Sequence, residues 1–83
     1  VHTGAELDLL IIRNGQRIGF EIKLTHSPKV TLSMRSSQEV LKLDKLYIMC
    51  HGEGAPWPLA EGIMAVPACC LKSPGWRIEL GQA

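Results

Sequence analysis

The chain predicts an α/β fold, and three stretches carry that expectation. Residues 6–24 read as a β-hairpin, because Asn14-Gly15 sits between two β-prone runs and both residues tolerate the positive φ of a type I′ turn. After Pro28 the apolar period lengthens from two to that of a helix. Residues 46–50, Leu-Tyr-Ile-Met-Cys, then form a continuous apolar run of the kind that makes a buried strand. Strand, helix and strand in this order predict a right-handed crossover, with the third strand parallel to the second.

Taken in order, Val1–Ala5 is an entry segment, and Gly4 suggests a tight approach before the first strand. In the hairpin, alternation places Glu6, Asp8, Leu10 and Ile12 on one side and Leu7, Leu9 and Ile11 on the other. On the second run Glu21 and Lys23 share a side, opposite Phe20, Ile22 and Leu24, with Ile22 expected in the core. Thr25-His26-Ser27-Pro28 ends that strand, since Pro28 cannot sit in a central ladder. Over residues 29–43, Val30, Met34, Ser37 and Leu41, with Val40 beside them, make one apolar helix stripe, and Ser27 and Thr31 are both candidate caps. Beyond the Gly- and Pro-rich loop after His51, short strands are expected at 57–60 and 63–66 across a turn at Glu61-Gly62. A helical turn is expected at 68–71 and an edge strand at 76–80.

Composition narrows the function classes only modestly. At 83 residues the chain is one small domain, with a core at 4–52 and a strand and short-helix segment at 53–83. A net charge of +1 neither favours nor disfavours a nucleic-acid partner. No run approaches membrane-spanning length and nothing resembles a signal peptide; with the cysteines read as reduced, a cytoplasmic protein is expected. The three cysteines, Cys50, Cys69 and Cys70, lack a Cys-x-x-Cys spacing, so neither a disulfide framework nor a zinc site is expected from them. The start at Val1, without an initiator Met, predicts a piece of a longer protein.

The chemistry lies where charge interrupts the apolar hairpin. Asp8 on one strand faces Glu21-Ile22-Lys23 on its neighbour. Two carboxylates brought together across a hairpin can hold a hard divalent cation such as Mg²⁺, with waters and a phosphate oxygen completing its shell. A lysine two residues after the glutamate shares its face and can orient or deprotonate an attacking water, or neutralise a developing anion. The Ile22 carbonyl is a further possible ligand. The bland alternative is a cross-strand ion-pair cluster on a solvated sheet face, modestly stabilising and needing no metal.

Asp8…Glu21-Ile22-Lys23 resembles the PD-(D/E)xK nuclease pattern, set in the hairpin–helix–strand section of the restriction-endonuclease-like fold. Gly4-Ala5-Glu6-Leu7-Asp8, Gly19-Phe20-Glu21-Ile22-Lys23 and Ser27-Pro28 before a helix sharpen the likeness. Together they resemble the C-terminal domain of unknown function that follows the ATP-binding module of many bacterial and archaeal AAA-type ATPases. The likeness runs over residues 1–71. It implies a truncated restriction-endonuclease-like core in which Asp8 and Glu21 hold Mg²⁺, Lys23 is the catalytic lysine and Glu6 an auxiliary acid. It further implies DNA and the parent ATPase module as partners. Two parts of the pattern are missing: the helix and strand that normally precede the hairpin, and any Walker-type GxxxxGK[ST]. Many members of that ATPase family are not known to cut DNA, so the competing expectation is an inactive interaction module that keeps the nuclease shell. The missing first strand would leave an open sheet edge, which predicts a homodimer or strand exchange.

Other residues admit plainer readings. His2 and His26 read as surface histidines, with His26 near enough to the second strand to approach a bound phosphate, and His51 reads as a loop residue. Lys29, Arg35, Lys42 and Lys45 read as a solvated helix face, with Arg35 and Lys42 able to line one side. Trp57 and Trp76 read as packing residues rather than base-stacking platforms, and Cys69-Cys70 as buried filler.

Overall fold

Asn14 (φ 51°) and Gly15 (φ 78°) both occupy the left-handed region, as a type I′ turn requires. The computed structural model, which describes residues 7–69, therefore places a tight hairpin where the sequence demands one. Strand β1 (Leu9–Arg13) pairs antiparallel with β2 (Gln16–Ile22), in the register Leu9 opposite Phe20 and Arg13 opposite Gln16. Helix α1 (Leu32–Val40) leads to β3 (Lys45–Cys50), which runs parallel to β2. Strands β4 (Trp57–Ala60) and β5 (Ile63–Pro67) follow, giving a five-stranded mixed sheet in the order β1-β2-β3-β5-β4. The fold is thus α/β, with β5 parallel to β3 and β4 antiparallel at the outer edge. Pro58 sits on that edge strand, where a missing ladder donor does least harm.

The helix is shorter than its apolar stripe. Thr31, not Ser27, caps it: the Thr31 hydroxyl oxygen accepts a hydrogen bond from Met34 N–H at 3.1 Å. Lys29 and Val30 precede the cap and are not helical. At the other end Lys42 turns left-handed (φ 56°) and Leu43 N–H donates to the Gln38 carbonyl at 3.0 Å, a Schellman-type stop. Lys42 therefore lies beyond the helix and Lys45 opens β3, so of the four basic residues expected on a helix face Arg35 alone is helical. Val40, expected beside the stripe, is exposed. Arg17 closes this corner, its Nε donating to the Leu41 carbonyl at 2.7 Å and its N–H to Asp44 Oδ2 at 2.8 Å.

Each sheet face carries its own cluster. On the helix side Met34, Leu46, Ile48 and Ile63 are buried, with Leu7, Val30 and Leu43 packed against them. On the other side Ile18, Tyr47 and Val66 are buried, with Phe20, Met49, Met64 and Cys69 around them. Phe20 and Tyr47 stack with ring centroids 5.5 Å apart. Each fully buried large apolar side chain contributes about 1.5–3 kcal/mol, so the two clusters supply most of the driving force. Among the described residues no helix packs on this second face, and Ile22, expected in the core, is 59% exposed there. The helical turn expected at 68–71 begins at Ala68 and Cys69, and its remainder lies outside the described residues, as does the strand expected at 76–80. Among the described residues no helix is long and apolar enough to cross a membrane.

Candidate functional site

The sheet gathers its reactive side chains at one end. Strands β2, β3 and β5 are parallel and β1 is antiparallel to them. The start of β1 and the carboxyl ends of β2, β3 and β5 therefore meet. Open α/β sheets bind ligands at the carboxyl ends of their strands. Asp8, Glu21, Lys23, His26, Cys50 and His51 all lie at that end.

Asp8 occupies a bend just before β1, and this bend corrects the simple alternation expected for the hairpin. Leu7 packs over Gly19 on the helix side, whereas Leu9 pairs with Phe20 on the opposite face, so the two do not share a side. The cause is local. Asp8 N–H donates to the Phe20 carbonyl at 3.0 Å, and Asp8 Oδ2 accepts from Ile22 N–H at 2.7 Å. The carboxylate thus stands in for a backbone ladder acceptor, which fixes its position and leaves Oδ1 for another ligand.

Glu21 projects to the helix side of β2 and is only 6% exposed. Its Oε2 pairs with Lys23 Nζ at 3.0 Å, and the lysine side chain remains 39% exposed. Its Oε1 is buried with no hydrogen-bond partner. A solvated ion-pair cluster does not describe this arrangement, because the acid is withdrawn from water with half its acceptor capacity unused. Asp8, Glu21, Lys23, Leu7 and Ile22 line one small cleft of about 140 Å³. The structure thus brings together three of the four acid and amine positions singled out from sequence. Glu6, the fourth, lies outside the described residues, as do His2, Cys70 and Trp76. Among the described residues no group of three or more His, Cys, Asp or Glu side chains converges on one point, so the described residues would offer a cation here two carboxylates. That number suits Mg²⁺, which keeps several waters and commonly takes one or two carboxylates.

A larger apolar groove of about 520 Å³ adjoins the cleft on the other side of Asp8 and Lys23, lined by Phe20, Ile22, Met49 and Ala68 among others. Cys50 is buried at its floor, and burial pushes its thiol pKa up. His51 lies at the rim, its N–H donating to the Thr25 carbonyl at 2.9 Å. This bond carries the β2–β3 pairing past the strand ends and brings His26 and His51 together, with ring centroids 5.4 Å apart. In the sequence they stand apart, His26 as a surface residue just after the second strand and His51 as a loop residue. The parallel register of Ile22 with Met49 is the signal that joins them. Trp57 is half-buried on β4, which accords with a packing role, and Cys69 Sγ donates to the Gly54 carbonyl at 3.6 Å.

No family model matches the chain, and no solved structure gives a significant match. Its relatives include proteins of Mycobacterium tuberculosis and Mycobacterium bovis, each described as an uncharacterized protein and 45% identical to it over 76 residues. The matched region takes in 92% of this chain and 17% of each relative, so the chain spans less than a fifth of the length of these proteins.

Proposed function

We propose that the chain is a nuclease-like domain with a truncated restriction-endonuclease-like core, the C-terminal part of an AAA-type ATPase, acting as a Mg²⁺-dependent phosphodiesterase on DNA in the cytoplasm. The observation that carries this reading is the Glu21 carboxylate. It is buried, half-unsatisfied, paired on one oxygen with Lys23, and shares a cleft with an Asp8 whose orientation is set by Ile22 N–H. A buried acid without a full set of partners is a liability to folding, and such liabilities concentrate at functional sites. The mixed sheet with one helix across it is compatible with this core.

Asp8 Oδ1 and Glu21 Oε1 are the oxygens that would hold Mg²⁺, with the Ile22 carbonyl as a third candidate and Glu6 as an auxiliary acid. When bound, the ion supplies a more acidic water and offsets charge growing on a phosphate. Lys23 stays partly exposed beside Glu21, so its ammonium can orient the attacking water or stabilise the anion in the transition state. The Asp8–Ile22 bond holds one carboxylate in place, which limits the reorganisation needed on binding.

A second reading is favoured by the apolar groove and the exposed Leu9, Ile22 and Leu24 beside it. In that reading the domain is an inactive interaction module docking on its ATPase or, through the β1 edge, on a second copy of itself. Incubation with labelled single- and double-stranded DNA and Mg²⁺ or Mn²⁺ separates the two. Cleavage abolished by Asp8→Asn and by Lys23→Ala establishes the phosphodiesterase; wild-type protein that cleaves neither substrate leaves the interaction module.

A further inference from the structure

We infer that His26 and His51 form a second, separate metal site, an open two-imidazole site for Zn²⁺. The inference does not rest on the nuclease reading, since it uses neither carboxylate of the hairpin. The two rings are close and exposed, and backbone bonds hold together the segments that carry them. His51 N–H bonds to the Thr25 carbonyl at 2.9 Å, one residue before His26, and Lys23 N–H bonds to the Met49 carbonyl at 2.8 Å. Gly52 packs under the His26 ring, with Cδ2 3.8 Å from where a Cβ would stand, and its φ of 126° suits only glycine. The two side chains are thus presented from adjacent, hydrogen-bonded segments.

The separation leaves room for one ion between the two rings. An imidazole nitrogen at about 2.05 Å puts the ring centroid roughly 3.2 Å from a zinc ion, so two imidazoles at the tetrahedral angle have centroids about 5.2 Å apart. At the right angle of an octahedral site the same rings would stand about 4.5 Å apart. The observed 5.4 Å, with planes tilted by 31°, is close to the spacing of two imidazoles on one tetrahedral ion. Imidazole is a preferred ligand for Zn²⁺, and χ2 rotation of an exposed histidine exchanges which nitrogen faces inward at little cost. With two protein ligands the remaining positions belong to water or to an incoming donor, which makes the site open rather than structural. It stands at the carboxyl ends of β2 and β3, where ligands enter sheets of this kind.

Titration of the full chain with Zn²⁺ alone, by calorimetry, together with the absorption spectrum of Co²⁺ as a zinc surrogate, tests the assignment. In a chain carrying Asp8→Asn and Glu21→Gln, which lacks the hairpin carboxylates, saturable single-site binding is expected, weakened by roughly tenfold or more by His26→Ala and by His51→Ala, since even removal of a ligand's hydrogen-bond partner costs 10–100-fold. Cys69→Ser should bind as its parent does, and the Co²⁺ spectrum should lack thiolate charge transfer. Both histidines are exposed, so their alanine variants should keep the wild-type circular dichroism. In that carboxylate-free background, absence of saturable binding, binding that survives removal of both histidines, or a thiolate signature would each overturn the site.

Discussion

Replacing Glu21 by methionine should leave the free domain as stable as before or make it more stable, and the reason is quantitative. At the observed 3.0 Å the Glu21–Lys23 pair has an attraction of about 5 kcal/mol at an effective dielectric of about 20. Lys23 is 39% exposed, so water and salt screen that attraction, and pairs with one exposed member typically retain about 0–1 kcal/mol. Against this stands the withdrawal of the Glu21 carboxylate from water, which costs several kcal/mol per ion and is made worse by the unsatisfied Oε1. Methionine fills a similar volume next to Leu7 without a charge. Glu21→Met is therefore expected to shift stability by between 0 and about +2 kcal/mol. Lys23→Met removes the one partner and leaves the acid buried, so it should destabilise by about 1–3 kcal/mol. Urea unfolding followed by tryptophan fluorescence measures both, and equal m-values for the three proteins make the comparison valid. A loss of more than about 2 kcal/mol in Glu21→Met would refute the reasoning, because it would show that the carboxylate is held for structure.

Three further outcomes follow from other parts of the fold. Gly19→Ala brings a Cβ to 2.9 Å from Leu43 Cδ1 and 3.0 Å from Leu7 Cδ1, so both leucine tips must move. Overpacking outweighs the reduced freedom of the unfolded chain by about 1 kcal/mol, and the amide resonance of Asp8, next to Leu7, should shift; an unperturbed Asp8 would contradict the placement of Leu7. Lys42→Gly relieves a left-handed residue at the helix stop (φ 56°) and should raise stability by up to about 1 kcal/mol in thermal melts, whereas a loss would contradict the Schellman geometry. Burial raises the Cys50 pKa above the ordinary 9.0, so the folded chain keeps a proton that the unfolded chain loses. That contribution is fully present below pH 9.0 and is lost as pH rises through the folded-state value. Cys50→Ala should flatten the alkaline fall of stability, and an unchanged slope would remove Cys50 as its source.

Much of this architecture was legible in the residues. Asn14-Gly15 specified a two-residue turn, and that turn set the hairpin register. The apolar run before His51 and the period change after Pro28 were enough to place β3 parallel to β2. Expectation failed where a side chain competes with the backbone. Asp8 takes the Ile22 N–H for itself, which bends the chain and puts Leu7 and Leu9 on opposite faces. Alternation counts residues and cannot register such a substitution. Ile22 is exposed because, among the described residues, the helix covers the other face, and a sheet strand apolar on both sides gives no hint of which face lacks a cover. The helix ends misled because Val30 and Leu41 continue its stripe although capping by Thr31 and the left-handed Lys42 stop it. The His26–His51 pair was invisible in a linear reading, since it depends on a backbone bond between two loops far apart in the chain.

Paramagnetic broadening of amide resonances by Mn²⁺ probes the hairpin carboxylates most directly. Broadening should centre on Leu7, Asp8, Glu21, Ile22 and Lys23 and vanish in Glu21→Gln, while the spectrum of that variant otherwise matches the wild type. Uniform weak broadening, or a centre elsewhere on the sheet, would contradict the account.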